Sequence, residues 1–408
     1  MIEPIMTPNT PLHPSDISEP NQPNALMNNY ARLPIAFTRG EGIYLYDEQN
    51  NQYIDALSGI AVCGLGHAHP ELAETLATQA YQLWHTSNLF EIPAQTQAAN
   101  TLATLSQMDK VIFCNSGTEA NEAALKLTRL HARAKGIEYP AVISFYGGFH
   151  GRTFGSMAAT ANPKIRQHFE PQLSEFIHLP FNDIKAVEAQ RYRTNVVAVL
   201  LECVQGEGGI HPATVPYIQA IRQICDEQGW LLICDEVQVG FGRSGKWFGY
   251  QHYNILPDII TLAKGLGNGI PVGVCLAKGK VADYFQPGYH GSTFAGSPLV
   301  MTVVNKVLEI YQRENIPENA TKMGEYLQAQ LNEKIGKLPI VKDIRGLGLM
   351  IGIELSEPVP QLVTKALENK LIINVTAQKV IRLLPPLVLT QTEADEIINR
   401  LAEVLSKC

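Results

Sequence analysis

No apolar run in this sequence approaches the length needed to cross a bilayer as a helix, which speaks against a membrane partner. No Lys or Arg precedes Arg32, so the basic start of a secretory signal is missing. Positive charge is in short supply: 32 Lys and Arg face 39 Asp and Glu, a net charge of −7. Such a field disfavours nucleic acid as a partner, and an anionic ligand has to be met by particular arginines. Cysteine is sparse and odd in number, seven in 408 residues, with no C-x-x-C pair. Several sit in apolar runs such as "LLICDEV", where a thiol acts as a small hydrophobe. Neither a disulfide framework nor a zinc site is expected, and the setting is read as reducing and cytoplasmic. The chain also lacks a G-x-x-x-x-G-K-[ST] loop, which removes a phosphate-hydrolase reading of the acidic pair at 235–236.

A chain of this length exceeds one core and predicts an α/β protein with a large domain and a smaller α+β domain. Residues 1–23, rich in Pro and Asn, read as a flexible arm. "GIYLYDEQNNQYID" predicts a hairpin, and "HPELAETLATQAYQLW" and "NEAALKLTRLHARAKG" have helical spacing. The runs "KVIFC", "AVISF", "VVAVLLE", "WLLICDE" and "PDIITLA" are apolar on both faces and alternate with helices, which predicts a mostly parallel sheet covered on both sides. After a helical stretch come "LGLMIGIEL", "LIINV" and "VIRLLPP". The expected division is 24–75 and 306–408 for the smaller domain and 76–305 for the large one.

Ligands of an open parallel sheet bind at the carboxyl ends of its strands, and the informative motifs fall at such ends. In "CNSGTEANEAALKL" a strand meets a helix: Ser116 and Glu119 fit a capping box, while the Gly117 and Thr118 amides can also hold a phosphate. In "LLICDEVQVGFGR", Asp235 ends an apolar strand and needs a partner; Glu236 beside it faces the other way. In "PDIITLAKGLGNGIPVG", Lys264 ends another strand, where desolvation makes an amine a usable nucleophile. A phosphate cup, a buried acid and an activated lysine together are what pyridoxal 5'-phosphate requires. "GGFHGRTFGS" adds Phe149, an aromatic for one face of the cofactor, and Arg152, able to clamp a carboxylate. Arg382, in "VIRLLPP", needs a counter-ion, for which Glu202 and Glu207 of "LECVQGEGGI" are the candidates. His67 and His69 of "GHAHP" stand two apart on a loop before a helix, where turn or core histidines are the reading and no metal is expected.

These motifs, with "HGSTFAGSP" and "RGLGLMIGIEL", resemble the pyridoxal-phosphate aminotransferases that act on ω-amino groups, from about residue 28 to the C-terminus. The resemblance implies a fold-type I homodimer with its site at the subunit interface. It implies Lys264 as the residue bonded to the cofactor and Asp235 as partner of the pyridine nitrogen. Val237 then covers a ring face opposite Phe149, and Gln238 reaches the ring hydroxyl. Gly117 and Thr118 bind phosphate from one subunit, and Ser292 and Thr293 from the other. Arg152 and Arg382 hold substrate carboxylates, with Glu207 pairing Arg382 when no second carboxylate is present. "WHTSNLFEIP", and Gly59–Ile60 in place of a tyrosine, favour N2-acetylornithine as amino donor and 2-oxoglutarate as acceptor, giving glutamate. Cys203, where the family commonly has proline, and "TFAGSP" depart from the pattern. Sibling donors are succinylornithine, ornithine and 4-aminobutyrate; a racemase, a decarboxylase or a silent binding protein are the other classes.

Overall fold

The computed structural model describes residues 25–173 and 175–407; the arm at 1–23 and Cys408 lie outside them. The first three strands, β1 (Phe37–Glu41), β2 (Tyr44–Asp47) and β3 (Gln52–Asp55), form an antiparallel meander. The expected hairpin is β2–β3. Its turn is set by the buried Asp47, whose Oδ1 accepts from the amides of Gln49 at 3.0 Å and Asn51 at 2.8 Å. The helix Pro70–Ala80 stops short of the helical run in the sequence, and Tyr81, Leu83 and Trp84 leave it exposed.

Next come β4 (Lys110–Cys114), β5 (Ala141–Phe145), β6 (Phe176–Leu179) and β7 (Val196–Leu201), a short pair β8 (Val204–Gln205) and β9 (His211–Pro212), then β10 (Leu231–Asp235), β11 (Ile259–Leu262) and β12 (Gly273–Ala277). Seven of them make the central sheet, in order β4-β12-β11-β10-β7-β5-β6. Only β12 runs against the rest, antiparallel to both β4 and β11. Strands β5, β7 and β10 are buried along their whole length, as both-face apolar sequences require. Helix Gly117–Ala134 packs on this sheet through Ala120, Ala123, Ala124 and Leu127, a stripe at helical spacing.

The helix Pro298–Arg313 runs across residue 306, where the large domain was expected to give way to the small one. Beyond it, β13 (Val341–Leu347), β14 (Met350–Leu355), β15 (Leu371–Ile372), β16 (Asn374–Thr376) and β17 (Val380–Leu383) follow. "LIINV" is split between two sheets: β15 joins β3 in parallel, while β16 joins the antiparallel sheet β13-β14-β17-β16. The N- and C-terminal segments therefore share one sheet. The carboxyl ends of β4, β5, β7, β10 and β11 all open on the same edge of the central sheet, since their directions agree.

Candidate active site

A cavity of about 240 Å³ lies at that edge. Four of the strand ends supply its walls: Gly117 and Thr118 after β4, Phe149 and Arg152 after β5, Glu202 after β7, and Asp235, Val237 and Gln238 from β10. Lys264 follows β11 and completes it. The structure thus brings together eight of the residues expected to bind cofactor or substrate, with Glu202 beside them. Arg382, Glu207, Ser292 and Thr293 do not line this cavity.

At the β4 end, Ser116 Oγ accepts from the Glu119 amide at 3.3 Å, the expected cap. Glu119 reaches one residue further back than a capping box, with Oε2 on the Asn115 amide at 2.6 Å. Gly117 is required by close packing: a Cβ there would come within 2.7 Å of Val237 Cγ1. Thr118 Oγ1 accepts from the Arg152 amide at 3.1 Å and lies 2.6 Å from Ser156 Oγ, tying the helix start to the loop after β5. In that loop the Arg152 guanidinium carbon is 5.6 Å from the Phe149 ring centre.

Asp235 is 3% exposed and fully satisfied. Its Oδ2 accepts from Asn121 Nδ2 and lies on His150 Nδ1, both at 2.8 Å, and its Oδ1 accepts from the Val237 amide at 3.1 Å. Asn121 is itself fixed, since Nδ2 also donates to the His150 carbonyl and Oδ1 accepts from Thr261 Oγ1. Burial alone would lower the pKa of His150; the hydrogen bond and charge of Asp235, joined by the charge of Glu202, outweigh it and raise it. The sequence reading missed His150 and Asn121. The signal was there in part, because His150 stands between Phe149 and Arg152 in the same glycine-rich loop. Glu236 turns the other way, as expected, and takes the amides of Gly249 and Tyr250.

Lys264 sits at φ +47°, a left-handed conformation that costs an L-residue about 1–2 kcal/mol. Its Nζ makes no hydrogen bond or ion pair among the described residues. Burial, seconded by the charge of Arg382, pushes the amine down to about 8; Glu207, Asp235 and Glu202 pull the other way. An amine that is desolvated, unpartnered and more easily deprotonated than a free lysine suits a covalent carbonyl partner. With the buried acid and the helix amides, the donor set fits pyridoxal phosphate.

Arg382 is 1% exposed. It donates through Nη1 to Glu207 Oε1 at 2.5 Å and to Gln238 Oε1 at 3.3 Å, and through Nε to Asn374 at 3.0 Å. Of its two candidate counter-ions, Glu207 is therefore the one used. Glu202 is spent elsewhere: its oxygens accept from the amides of Phe149 at 2.9 Å and Gly206 at 3.1 Å. Burial pushes Glu202 up to about 7, with His150 opposing and Asp235 adding.

Ser292 Oγ accepts from Asn115 Nδ2 of its own chain at 2.7 Å, and Thr293 is exposed. The two histidines of "GHAHP" part company. His67 Nε2 pairs with Asp55 at 2.8 Å, while His69 lies near Glu71 and Glu314. Arg313 holds both of those carboxylates.

Residues 25–405 match the aminotransferase class-III family. An acetylornithine aminotransferase of Nitrosomonas europaea is 46% identical, covering 93% of this chain and 97% of its own. Among solved structures, an ornithine aminotransferase of Toxoplasma gondii, described with partial occupancy of PLP at its active site, superposes with TM-score 0.90 at 31% identity, covering 93% of this chain and 92% of its own. An N-acetylornithine aminotransferase of Stenotrophomonas maltophilia does so with TM-score 0.81 at 33% identity, over 93% and 97%. With its Lys, Asp and helix amides converging on one sheet edge, this chain belongs to the class-III aminotransferases.

Proposed function

We propose that this chain transfers the δ-amino group of N2-acetylornithine to 2-oxoglutarate, giving N-acetylglutamate 5-semialdehyde and glutamate, with pyridoxal 5'-phosphate as cofactor. The observation that carries the reading is the buried Arg382 paired with Glu207 beside the Lys264 cavity. A site that alternates between an acylated diamino acid and a dicarboxylate needs a cation that can be neutralised for one and freed for the other. Glu207 suits that task because its side chain is 33% exposed while Arg382 is locked. The turn Ser58–Ala61 supports space for the acyl group: a Cβ on Gly265, the residue after Lys264, would lie 3.7 Å from the Ala61 carbonyl oxygen, and Gly59 of that turn has no side chain.

When bound, the cofactor supplies an electron sink next to the carbon that carries the amino group. Lys264 would hold the cofactor through its amine and would serve as the base for the proton at that carbon. Asp235, oriented by Asn121 and His150, would keep a proton on the pyridine nitrogen. Phe149 and Val237 would hold the ring and Gln238 its hydroxyl. Gly117 and Thr118 hold the phosphate, joined by Ser292 and Thr293 of the partner subunit in a homodimer. Arg152 takes the α-carboxylate. The small unit, 24–75 with 306–408, brings Arg382 to the large one, 76–305. The enzyme works in the cytoplasm.

The test is to titrate purified holoenzyme with N2-acetylornithine, ornithine and 4-aminobutyrate separately, without a keto acid, and follow the cofactor's absorbance. N2-acetylornithine is expected to convert the spectrum at the lowest concentration. A lower midpoint for either of the other amines overturns the donor assignment and leaves the enzyme class standing.

A further inference from the structure

Four residues lie in one row across the antiparallel sheet of the small unit: Arg345 pairs with Gly352, Gly352 with Arg382, and Arg382 with Asn374. Residues in such register face the same side of a sheet. The loop 206–211, which carries Glu207, lies against that side. Arg345 donates from Nε to the Ile210 carbonyl at 2.8 Å and from Nη2 to the Gly209 carbonyl at 2.6 Å. Its Nη1 is engaged by Asp343 and Glu354, each at 2.8 Å. Arg382 takes the Glu207 carboxylate, and Thr376 Oγ1 donates to the Glu207 carbonyl at 2.6 Å. Between the two arginines Gly352 leaves the necessary gap, since a Cβ there would come within 2.8 Å of Ile210 Cβ. Ile210 is fully buried at φ +54°, a conformation a β-branched residue adopts only under constraint.

We infer that Arg345, with Gly352 and Thr376, is a positioning device that pins the backbone of loop 206–211, so that only the Glu207 side chain moves when a second carboxylate reaches Arg382. The inference rests on the proposed alternation at Arg382. Three carbonyls of the loop are held, at Glu207, Gly209 and Ile210, while the Glu207 side chain is partly open to solvent. A loosened loop has to be reordered each time the ion pair closes, and that entropy makes Glu207 a weaker competitor for Arg382. Dicarboxylates then gain, and the acylated donor, which needs Arg382 neutralised, loses.

The experiment compares holoenzyme carrying Arg345→Lys, Thr376→Val, Glu207→Gln or Arg345→Lys with Glu207→Gln. Four quantities are read: KM for N2-acetylornithine, KM for 2-oxoglutarate, calorimetric binding of glutarate, and amide exchange in 206–211. Arg345→Lys and Thr376→Val are expected to raise the ratio of donor KM to acceptor KM by about two- to tenfold, the worth of one or two hydrogen bonds. Glutarate binds more tightly and the loop amides exchange faster. In the Glu207→Gln background, Arg345→Lys adds nothing to the ratio. Thr376→Val keeps shape and charge and carries the test if Arg345→Lys does not fold. A fall in kcat and thermal midpoint with the ratio unchanged marks a merely structural role and overturns the inference. A ratio moved by Glu207→Gln but by neither other variant also overturns it alone; if Glu207→Gln leaves the ratio unmoved, the alternation itself is wrong.

Discussion

An amine at the end of a buried strand loses hydration, and at Lys264 no hydrogen bond or ion pair among the described residues repays the loss. Its proton affinity falls instead, to about 8. The sign of the consequence is direct: above that pH the amine of cofactor-free protein is neutral and nucleophilic, below it the amine is a cation. Acylation of Lys264 in cofactor-free protein, followed by peptide mass spectrometry, is therefore expected to rise with pH through a midpoint near 8. A midpoint near that of a free lysine would show that burial does not act on this side chain. Asp235 is the opposite case, a charge held by three donors. Asp235→Asn removes the charge proposed to face the pyridine nitrogen and is expected to lower kcat by about 10²–10³ at saturating cofactor. His150→Gln leaves the charge in place but loses an oriented partner, and about tenfold is expected. Equal losses from the two variants would contradict this ordering of roles.

At the scale of the element, the central sheet was legible where a run was apolar on both faces, as in β5, β7 and β10. Direction was not. Strand β12, "GVCLA", is as apolar as its neighbours, and nothing within a short apolar run says that it returns antiparallel between β4 and β11. The same asymmetry governs the site. Asp235 and Lys264 declared themselves because a charge after an apolar run has an evident cost; Asn121, an uncharged amide on the buried face of a helix, carries no such mark. Counter-ion choice was also beyond the sequence. Glu202 and Glu207 stand five residues apart in sequence, and only the fold assigns the first to two backbone amides and the second to Arg382. The helix start after β4 supports a prediction at this scale. Ser116→Ala removes the side-chain acceptor for the Glu119 amide and is expected to cost about 1 kcal/mol in urea unfolding. The Gly117 and Thr118 amides belong to the same first turn, so weaker cofactor retention is expected alongside. A variant as stable as the parent would mean that Glu119, bonded to the Asn115 amide, caps the turn unaided.

For the whole molecule, the exposed surface is itself informative. Trp84, Leu89, Phe90 and Phe294 are between 63% and 87% exposed, and hydrogen bonds from Asn88 to Ala295 and from Gln95 to Gly296 join their two segments. So much apolar surface in one place is what the proposed homodimer would cover, and the loop at its edge carries Ser292 and Thr293. Within the chain, however, Ser292 already meets Asn115, just before the helix Gly117–Ala134. Whether a site draws on Thr293 of its own subunit or of the partner subunit is decided by complementation. In the proposed homodimer Lys264→Ala and Thr293→Asp are each expected to abolish activity, the first by removing the amine and the second by setting a carboxylate where the proposal places the phosphate. In a heterodimer of the two, isolated through separate tags, a site that borrows Thr293 across the interface combines an intact Lys264 from one chain with an intact Thr293 from the other. One site in two is then restored, and about half of wild-type activity is expected from the two-fold symmetry. If each subunit uses its own Thr293, one site lacks the lysine and the other carries the aspartate, and the heterodimer stays as inactive as its parents.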